Sequence, residues 1–374
     1  MIKMISPHGG KLVKRFKEKE EFKLKIEIDF DTYQDVENIA TGVFSPLEGF
    51  LNKEEYESVV NRGRLPDGTP WTIPILLHVS DEKRKNFGIG EKANLTYNGE
   101  DIGEIEIEEI FSIDPGEYSI KVFKTEKIDH PGVNRIFSLP PFCISGKIYL
   151  YKRMEHKFSR YHLTPEEVRE EFKKRGWRKV VAFQTRNVPH IGHEYVQKVA
   201  LTLTDGLFIN PLIGKKKKGD FKDEVIIRSY EVLIENYYPK NVTFLSILST
   251  SMKYAGPKEA IHHAIMRKNF GATHFIIGRD HAGVGDFYGP FDAHKIFDEY
   301  PDLEIEPIFF KAFFKCKRCG GVVNDKICPH SEEDRINFSG TSIRKAILEG
   351  HRPSEEVMRP EVADVILKYK NPFV

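Results

Sequence analysis

The 374-residue chain reads as an α/β protein in three parts. Three observations predict this. Short strand signals separated by turn clusters fill residues 1–163. Strand-like and helical segments alternate through 164–313. Cysteines then crowd into a loop within 314–374. Many short strands with intervening turns suggest a β-rich domain, a barrel or curled sheet. Alternation of strand and helix implies a parallel sheet with helices on its faces. The last part is expected to be a small α/β domain carrying the cysteine loop.

In the first part, the strand signals are Phe22–Phe30, Trp71–Val79, Ala93–Tyr97 and Ile102–Phe111, with few helices between them. Leu65-Pro66-Asp67-Gly68 and Asp114-Pro115-Gly116 supply turns. The pattern changes at Thr164-Pro165-Glu166-Glu167, where a Thr cap, Pro at the first position and Glu three residues after the cap predict a helix to about Arg175. A strand at Lys179–Phe183 follows, then a helix near His190–Thr204 and a strand at Gly206–Pro211. A helix at Asp223–Tyr237, a strand at Val242–Leu248, a helix at Pro257–Asn269 and a strand at His274–Ile277 complete the alternation. Two helices, Ser342–Glu349 and Arg359–Lys370, are expected near the C-terminus.

Composition narrows the function. Charged residues make up 30% and hydrophobic residues 40%, a globular balance. A formal net charge of +1 argues against a broad nucleic-acid footprint. No stretch approaches the roughly 18–20 apolar residues of a membrane span. The segment Met1–Lys25 has no apolar run typical of a secretory signal. With four cysteines and no disulfide framework, the chain reads as cytoplasmic.

Chemistry concentrates in Gln184-Thr185-Arg186-Asn187-Val188-Pro189-His190-Ile191-Gly192-His193, directly after a buried strand. Asn187 can cap a helix and Pro189 can sit in its first turn. His190 and His193, three apart, share one helix face. Both then lie beside a helix N-terminus, where free N–H groups favour anions. Gly192 removes a side chain, so a large ligand can approach the backbone. Gln184 and Arg186 offer donors, Arg as a planar fork suited to oxyanions. Together these point to chemistry on a nucleotide phosphate. A helix cap with two surface histidines is the bland alternative, and five polar donors on one turn weigh against it.

Gln184–His193 resembles the signature of ATP sulfurylases (sulfate adenylyltransferases). Its core, His190-Ile191-Gly192-His193, is also shared by other nucleotidyltransferases and class I aminoacyl-tRNA synthetases. Further blocks separate these: Asn210–Asp220 (NPLIGKKKKGD), Met252–Ala260 (MKYAGPKEA), Gly278–His294 (GRDHAGVGDFYGPFDAH), Phe338–Arg344 (FSGTSIR) and Arg359–Val362 (RPEV). Gly42–Phe50 (GVFSPLEGF) and Pro7–Gly10 also fit. The resemblance spans nearly the whole chain. It implies a PUA-like first domain, a Rossmann-like nucleotidyltransferase domain, and conversion of ATP and sulfate to adenylyl sulfate (APS) and pyrophosphate.

The resemblance also implies a role for each site residue. Thr185, Arg186, Asn187, His190 and His193 carry catalysis. Gln184, Arg186 and the backbone of Ala282 bind sulfate. Gln184, Thr185, Arg186, Asn187, His190, His193, Gly278, Arg279, Asp280 and His281 bind ATP, the last four at its adenosine end with Arg279 near the phosphates. Mg²⁺ accompanies ATP, and a homodimer is expected. Two departures stand out. Val188 precedes Pro189 where relatives often place proline directly after the Asn, and His294 stands where Gln is common. No GxxxxGK[ST] string appears, so a fused APS kinase is not expected.

Four further features stand on their residues alone. Asp280 and His281 have no obvious third ligand for a metal. The run Lys215–Lys218 is a solvated loop or an attractor for anions. Cys316-x2-Cys319-x8-Cys328-x-His330 has knuckle spacing with Gly320, Gly321 and Pro329 for turns, and three thiolates with one imidazole complete a closed, structural zinc site. Cys143 reads as a buried free thiol. The rival readings are another adenylyltransferase and an RNA-binding module.

Overall fold

The computed structural model describes residues 4–374. The first three residues of the segment read for a signal lie outside this range.

A seven-stranded sheet occupies the first part. Leu24–Glu27, Lys92–Tyr97, Glu100–Glu106, Phe142–Leu150 and Gly49–Phe50 follow one another in space, and Leu77–Val79 and Glu109–Ser112 also pair with Phe142–Leu150. The sheet curls tightly where glycine is obligatory. A Cβ on Gly49 would sit 1.9 Å from the Gly146 carbonyl oxygen, and one on Gly146 1.8 Å from that of Glu106; no side chain tolerates such approach.

This part is more helical than the strand signals suggest. Phe30–Ala40, Lys53–Arg62, Pro115–Phe123 and Pro131–Ser138 are helices. Each has a cap in the sequence: Asp29, the Asn52–Glu55 capping box, Asp114 before Pro115, and His130 before Pro131. Asp29 also ends the strand expected over Phe22–Phe30, leaving Leu24–Glu27. Of Trp71–Val79 only Leu77–Val79 pairs. The stretch before it is buried, and Pro74 there cannot donate to a ladder. Ile102–Phe111 divides into Glu100–Glu106 and Glu109–Ser112.

The second part holds a parallel sheet in the order Thr243–Leu245, Gly206–Ile213, Val180–Thr185, His274–Ile277, Glu306–Phe309, with Leu248–Ser249 also on Gly206–Ile213. Chain order therefore reverses between Val180–Thr185 and His274–Ile277, the position where such sheets open a crevice at the strand C-termini. Helices Asp223–Tyr237 and Pro257–Asn269 and strand His274–Ile277 occupy the expected bounds. The capping box at Thr164 is formed, and its helix covers Pro165–Lys174. Glu306–Phe309 is a strand the sequence reading did not anticipate; its Pro307 suits an edge.

Helix Pro257–Asn269 is wedged between the two sheets and is buried from Glu259 to Asn269. On one side His262 packs against Phe44 and Trp71, with ring centroids 5.2 Å away in each case. On the other, the Arg267 guanidinium lies 5.6 Å from the centre of the Phe275 ring. One continuous apolar core thus runs from the first sheet through this helix into the second.

At the C-terminal end, Val322–Val323, Phe314–Cys316 and Arg335–Asn337 form a small antiparallel sheet. Helices Gly340–Leu348 and Pro360–Leu367 follow, slightly offset from Ser342–Glu349 and Arg359–Lys370. Among the described residues no helix is long and apolar enough to cross a membrane.

Candidate active site

Two strand ends meet at the reversal point. Val180–Thr185 delivers Gln184 to His193, and His274–Ile277 delivers Gly278 to Ala282. The turn after Thr185 is closed locally, since the Asn187 N–H donates to Thr185 Oγ1 at 3.1 Å. Asn187 does not cap the helix as expected. His190 takes that place: its Nδ1 accepts the His193 N–H at 3.2 Å, and the helix is Ile191–Leu201. The Asn187 amide oxygen instead accepts from Arg344 Nη2 at 2.8 Å, so the FSGTSIR block closes over the turn.

The two imidazoles stack face to face, centroids 3.8 Å apart and 16° from parallel. Burial pushes the His193 pKa down to about 4. Burial, then the neighbouring His193, carries His190 well below its ordinary value. Both rings are therefore neutral near pH 7, and a polyanion at this helix end would favour their charged forms. Gly192 serves packing rather than ligand approach, because a Cβ there would meet the Phe338 ring at 2.7 Å and His190 Cε1 at 3.0 Å. Behind the rings, buried Glu194 accepts two bonds of 2.8 Å from Arg359 and one of 2.6 Å from Lys198.

Gln184 and Arg186 point away from the histidines towards helix Pro257–Asn269 and the loop before it. Gln184 Nε2 lies 2.8 Å from His263 Nδ1. Arg186 Nη1 donates to the Tyr254 hydroxyl at 2.8 Å. The two strand ends are joined through His263, whose Nδ1 is also 3.1 Å from His281 Nε2. Asp280 and Ala282 hold left-handed backbone, with φ of 52° and 59°. Such conformations are costly for non-glycine residues and cluster at ligand sites. Arg279 and Asp280 are exposed. Asp280 and His281 gather no metal group; the Cys/His knuckle is what does so among the described residues. His294 Nε2 lies 3.1 Å from the Gly278 carbonyl oxygen, which braces the start of this loop.

The lysine run lies beside the site. Lys215, Lys216 and Lys217 line a cavity of about 720 Å³ between the two sheets, which Tyr254 also borders. Lys216 pairs with Asp223 at 2.8 Å, and Lys217 Nζ stands 5.7 Å from the Tyr254 ring centre. Tyr254, His263 and Glu259 were missed by sequence reasoning. Tyr254 and Glu259 lie within the MKYAGPKEA block, but only the burial of Glu259 and the contact of the Tyr254 hydroxyl with Arg186 single them out.

In the knuckle, Cys316, Cys319, Cys328 and His330 bring one ligand atom each to within 4.8 Å of one another. His330 Nδ1 is 3.3, 3.2 and 3.6 Å from the three sulfurs in turn, and Cys319 Sγ is 3.7 Å from Cys328 Sγ. A tetrahedron with zinc–sulfur bonds of about 2.3 Å has edges of about 3.8 Å, so the group can hold a metal of that size. The Cys319 N–H donates to Cys316 Sγ and leads the causes that lower its pKa to about 6. Cys143, buried, is free and its thiol is pushed up to about 12 by burial.

Comparison with known proteins agrees with this architecture. Residues 159–369 match the family model described as ATP-sulfurylase, and residues 5–153 match the PUA-like domain. The chain is 52% identical to the sulfate adenylyltransferase of Pyrococcus abyssi over 98% of this chain and 99% of that one. It is 52% identical to that of Ignicoccus hospitalis, over 98% and 99%, and 46% identical to that of Halothermothrix orenii, over 98% and 99%. In fold it resembles a solved structure described as a hexameric APS kinase from Thiobacillus denitrificans, with a TM-score of 0.78 and 22% identity, covering 99% of this chain and 69% of that one. A PUA-like domain, a parallel sheet reversing at a paired-histidine turn, and full-length similarity at this level place the chain in the ATP-sulfurylase family.

Proposed function

We propose that the chain catalyses ATP plus sulfate to adenylyl sulfate plus pyrophosphate, and the reverse, by direct in-line attack of sulfate on the α-phosphate. The observation that carries this reading is the meeting of Gln184–His193 with Gly278–Ala282 at the reversal point of the sheet. Sulfate is fully ionised near neutral pH, so no general base is needed. The site must instead position two anions that repel and stabilise charge on the leaving pyrophosphate. In this reading Gln184, Arg186 and the Ala282 backbone take sulfate. His190 and His193 take the triphosphate and the transition state, with Thr185 and Asn187 shaping the turn. Gly278, Arg279, Asp280 and His281 hold the adenosine end, with Arg279 near the phosphates. Mg²⁺ enters with ATP, mostly on its phosphates, and the knuckle holds structural Zn²⁺.

The same reading divides the chain at 163/164 and 313/314, makes it a cytoplasmic homodimer and gives it no nucleic-acid partner. The test is exchange of labelled pyrophosphate into ATP. Exchange should require sulfate and not amino acids. His190→Ala should lower it by about 10²–10³, the usual effect of removing one transition-state donor. Exchange driven by an amino acid instead, or a trapped adenylylated residue, would refute the reading.

A further inference from the structure

Both proposed sulfate donors trace back to one buried carboxylate that touches neither. Glu259 sits in the first turn of helix Pro257–Asn269 and is 1% exposed. Its Oε1 accepts the Lys253 N–H at 2.8 Å, and its Oε2 accepts the Ala255 N–H at 3.0 Å. These bonds pin the residues on either side of Tyr254, whose φ of 62° is left-handed. The Tyr254 hydroxyl is the group that Arg186 Nη1 meets at 2.8 Å. One turn along the helix, His263 Nε2 lies 3.3 Å from Glu259 Oε1.

That last contact decides a tautomer. A carboxylate can only accept, so it favours the proton on His263 Nε2 and leaves Nδ1 as an acceptor. Burial holds His263 well below its ordinary pKa, so the ring carries one proton. Nδ1 then accepts from Gln184 Nε2 at 2.8 Å and faces His281 Nε2 at 3.1 Å. The Gln184 amide must turn its NH₂ group, not its oxygen, to the histidine. One N–H is used there and the second is left for an oxyanion. Gln184 Oε1 is buried without a protein partner; as an acceptor it calls for a donor, so an oxyanion can use only the Nε2 side of this amide.

We infer that Glu259 and His263 are positioning residues for sulfate: Glu259 fixes Arg186 through Tyr254 and Gln184 through His263. The inference rests on the proposed adenylyltransferase reading, in which Gln184 and Arg186 take sulfate. It assigns no contact with ATP to Glu259 or His263. Outer groups of this kind orient the donors that touch a ligand, and their loss is felt through those donors.

The experiment measures KM for sulfate and KM for ATP separately on the full-length protein. His263→Ala and Glu259→Gln should raise the sulfate KM by about 10–100-fold, the range of a lost hydrogen bond to a charged group. The ATP KM should rise much less than the sulfate KM, with any rise in His263→Ala traced to His281, whose Nε2 the ring faces at 3.1 Å. His263→Asn supplies an amide oxygen as acceptor near the Nδ1 position and should recover most of the loss. Tyr254→Phe removes one hydroxyl from a half-buried position and should raise the sulfate KM by about three- to tenfold, with an unchanged melting temperature. If Glu259→Gln does not fold, the Asn and Phe variants still decide the matter. Equal rises in both KM values, or His263→Asn no better than His263→Ala, would overturn the inference. Absence of sulfate-dependent exchange in the unmodified protein would instead overturn the adenylyltransferase reading, and the inference with it.

Discussion

The turn at 184–193 and the knuckle at 316–330 each gather polar ligands, yet they are held by different means. The turn leaves the centre of a parallel sheet and is clamped by a packed core, by Arg344 on Asn187 and by Arg359 on Glu194. The knuckle stands on three short strands whose buried apolar cluster is Phe314, Cys316 and Cys328, with Val323 against it. Packing alone can preform the first. The second has too little apolar surface to order its loops and depends on what its four ligands bind. The two regions touch through Phe338, which follows the last knuckle strand and lies 6.0 Å from the His190 ring.

Metal removal should break this contrast most sharply. Structural zinc in small domains is worth on the order of 10 kcal/mol. Chelation, or Cys328→Ser, should expose 314–337 to protease while the parallel sheet keeps its melting transition. The check is limited proteolysis beside metal analysis. A chelated protein with an equally protected loop would mean that packing suffices there too.

Acid should attack the packed part next. His8 and His162 are buried, and burial lowers their pKa values to about 4 and about 3. The unfolded chain keeps the ordinary value of about 6.5, so it binds more protons below that pH. The stabilisation is present above pH 6.5 and is lost as the pH falls towards the folded values. Each should cost about 2 kcal/mol at pH 5 relative to pH 7.5. Melting temperature against pH is the check, and His8→Asn should flatten it.

Arg344→Ala is the smallest intervention. It removes the clamp on Asn187 and leaves both regions folded. We expect a loss of roughly 1–2 kcal/mol in kcat/KM, about five- to thirtyfold, with the metal retained. A loss confined to stability would make Arg344 part of the scaffold only.

Much of this contrast was legible before any coordinates. The Pro165–Lys174 helix announces itself by its capping box and proline start, the Asp223–Tyr237 and Pro257–Asn269 helices by their place in the strand–helix alternation, and the knuckle by spacing alone. The burial of helix Pro257–Asn269 was not legible. His262, His263, Arg267, Lys268 and Asn269 are residue types that usually stay in solvent, and they become interior only because two sheets close on the helix. Glu259 is hidden for the same reason, whereas half-buried Tyr254 stands out only through its contact with Arg186. The helices of the first part were missed although their caps were present, because short helices between strands carry a weak periodic signal. Gly192 was read as room for a ligand when Phe338, distant in sequence, fills that room.

The strand reversal that creates the site also delays it. The first bond between its two halves, from the Val180 N–H to Thr273 Oγ1, joins residues 93 positions apart. Closing a loop of that length precedes any reward from the pairing, which makes such contacts late and slow. A refolding chain will recover its helical signal before it recovers any affinity for nucleotide, and in that interval the unpaired strand edges are its most exposed surface.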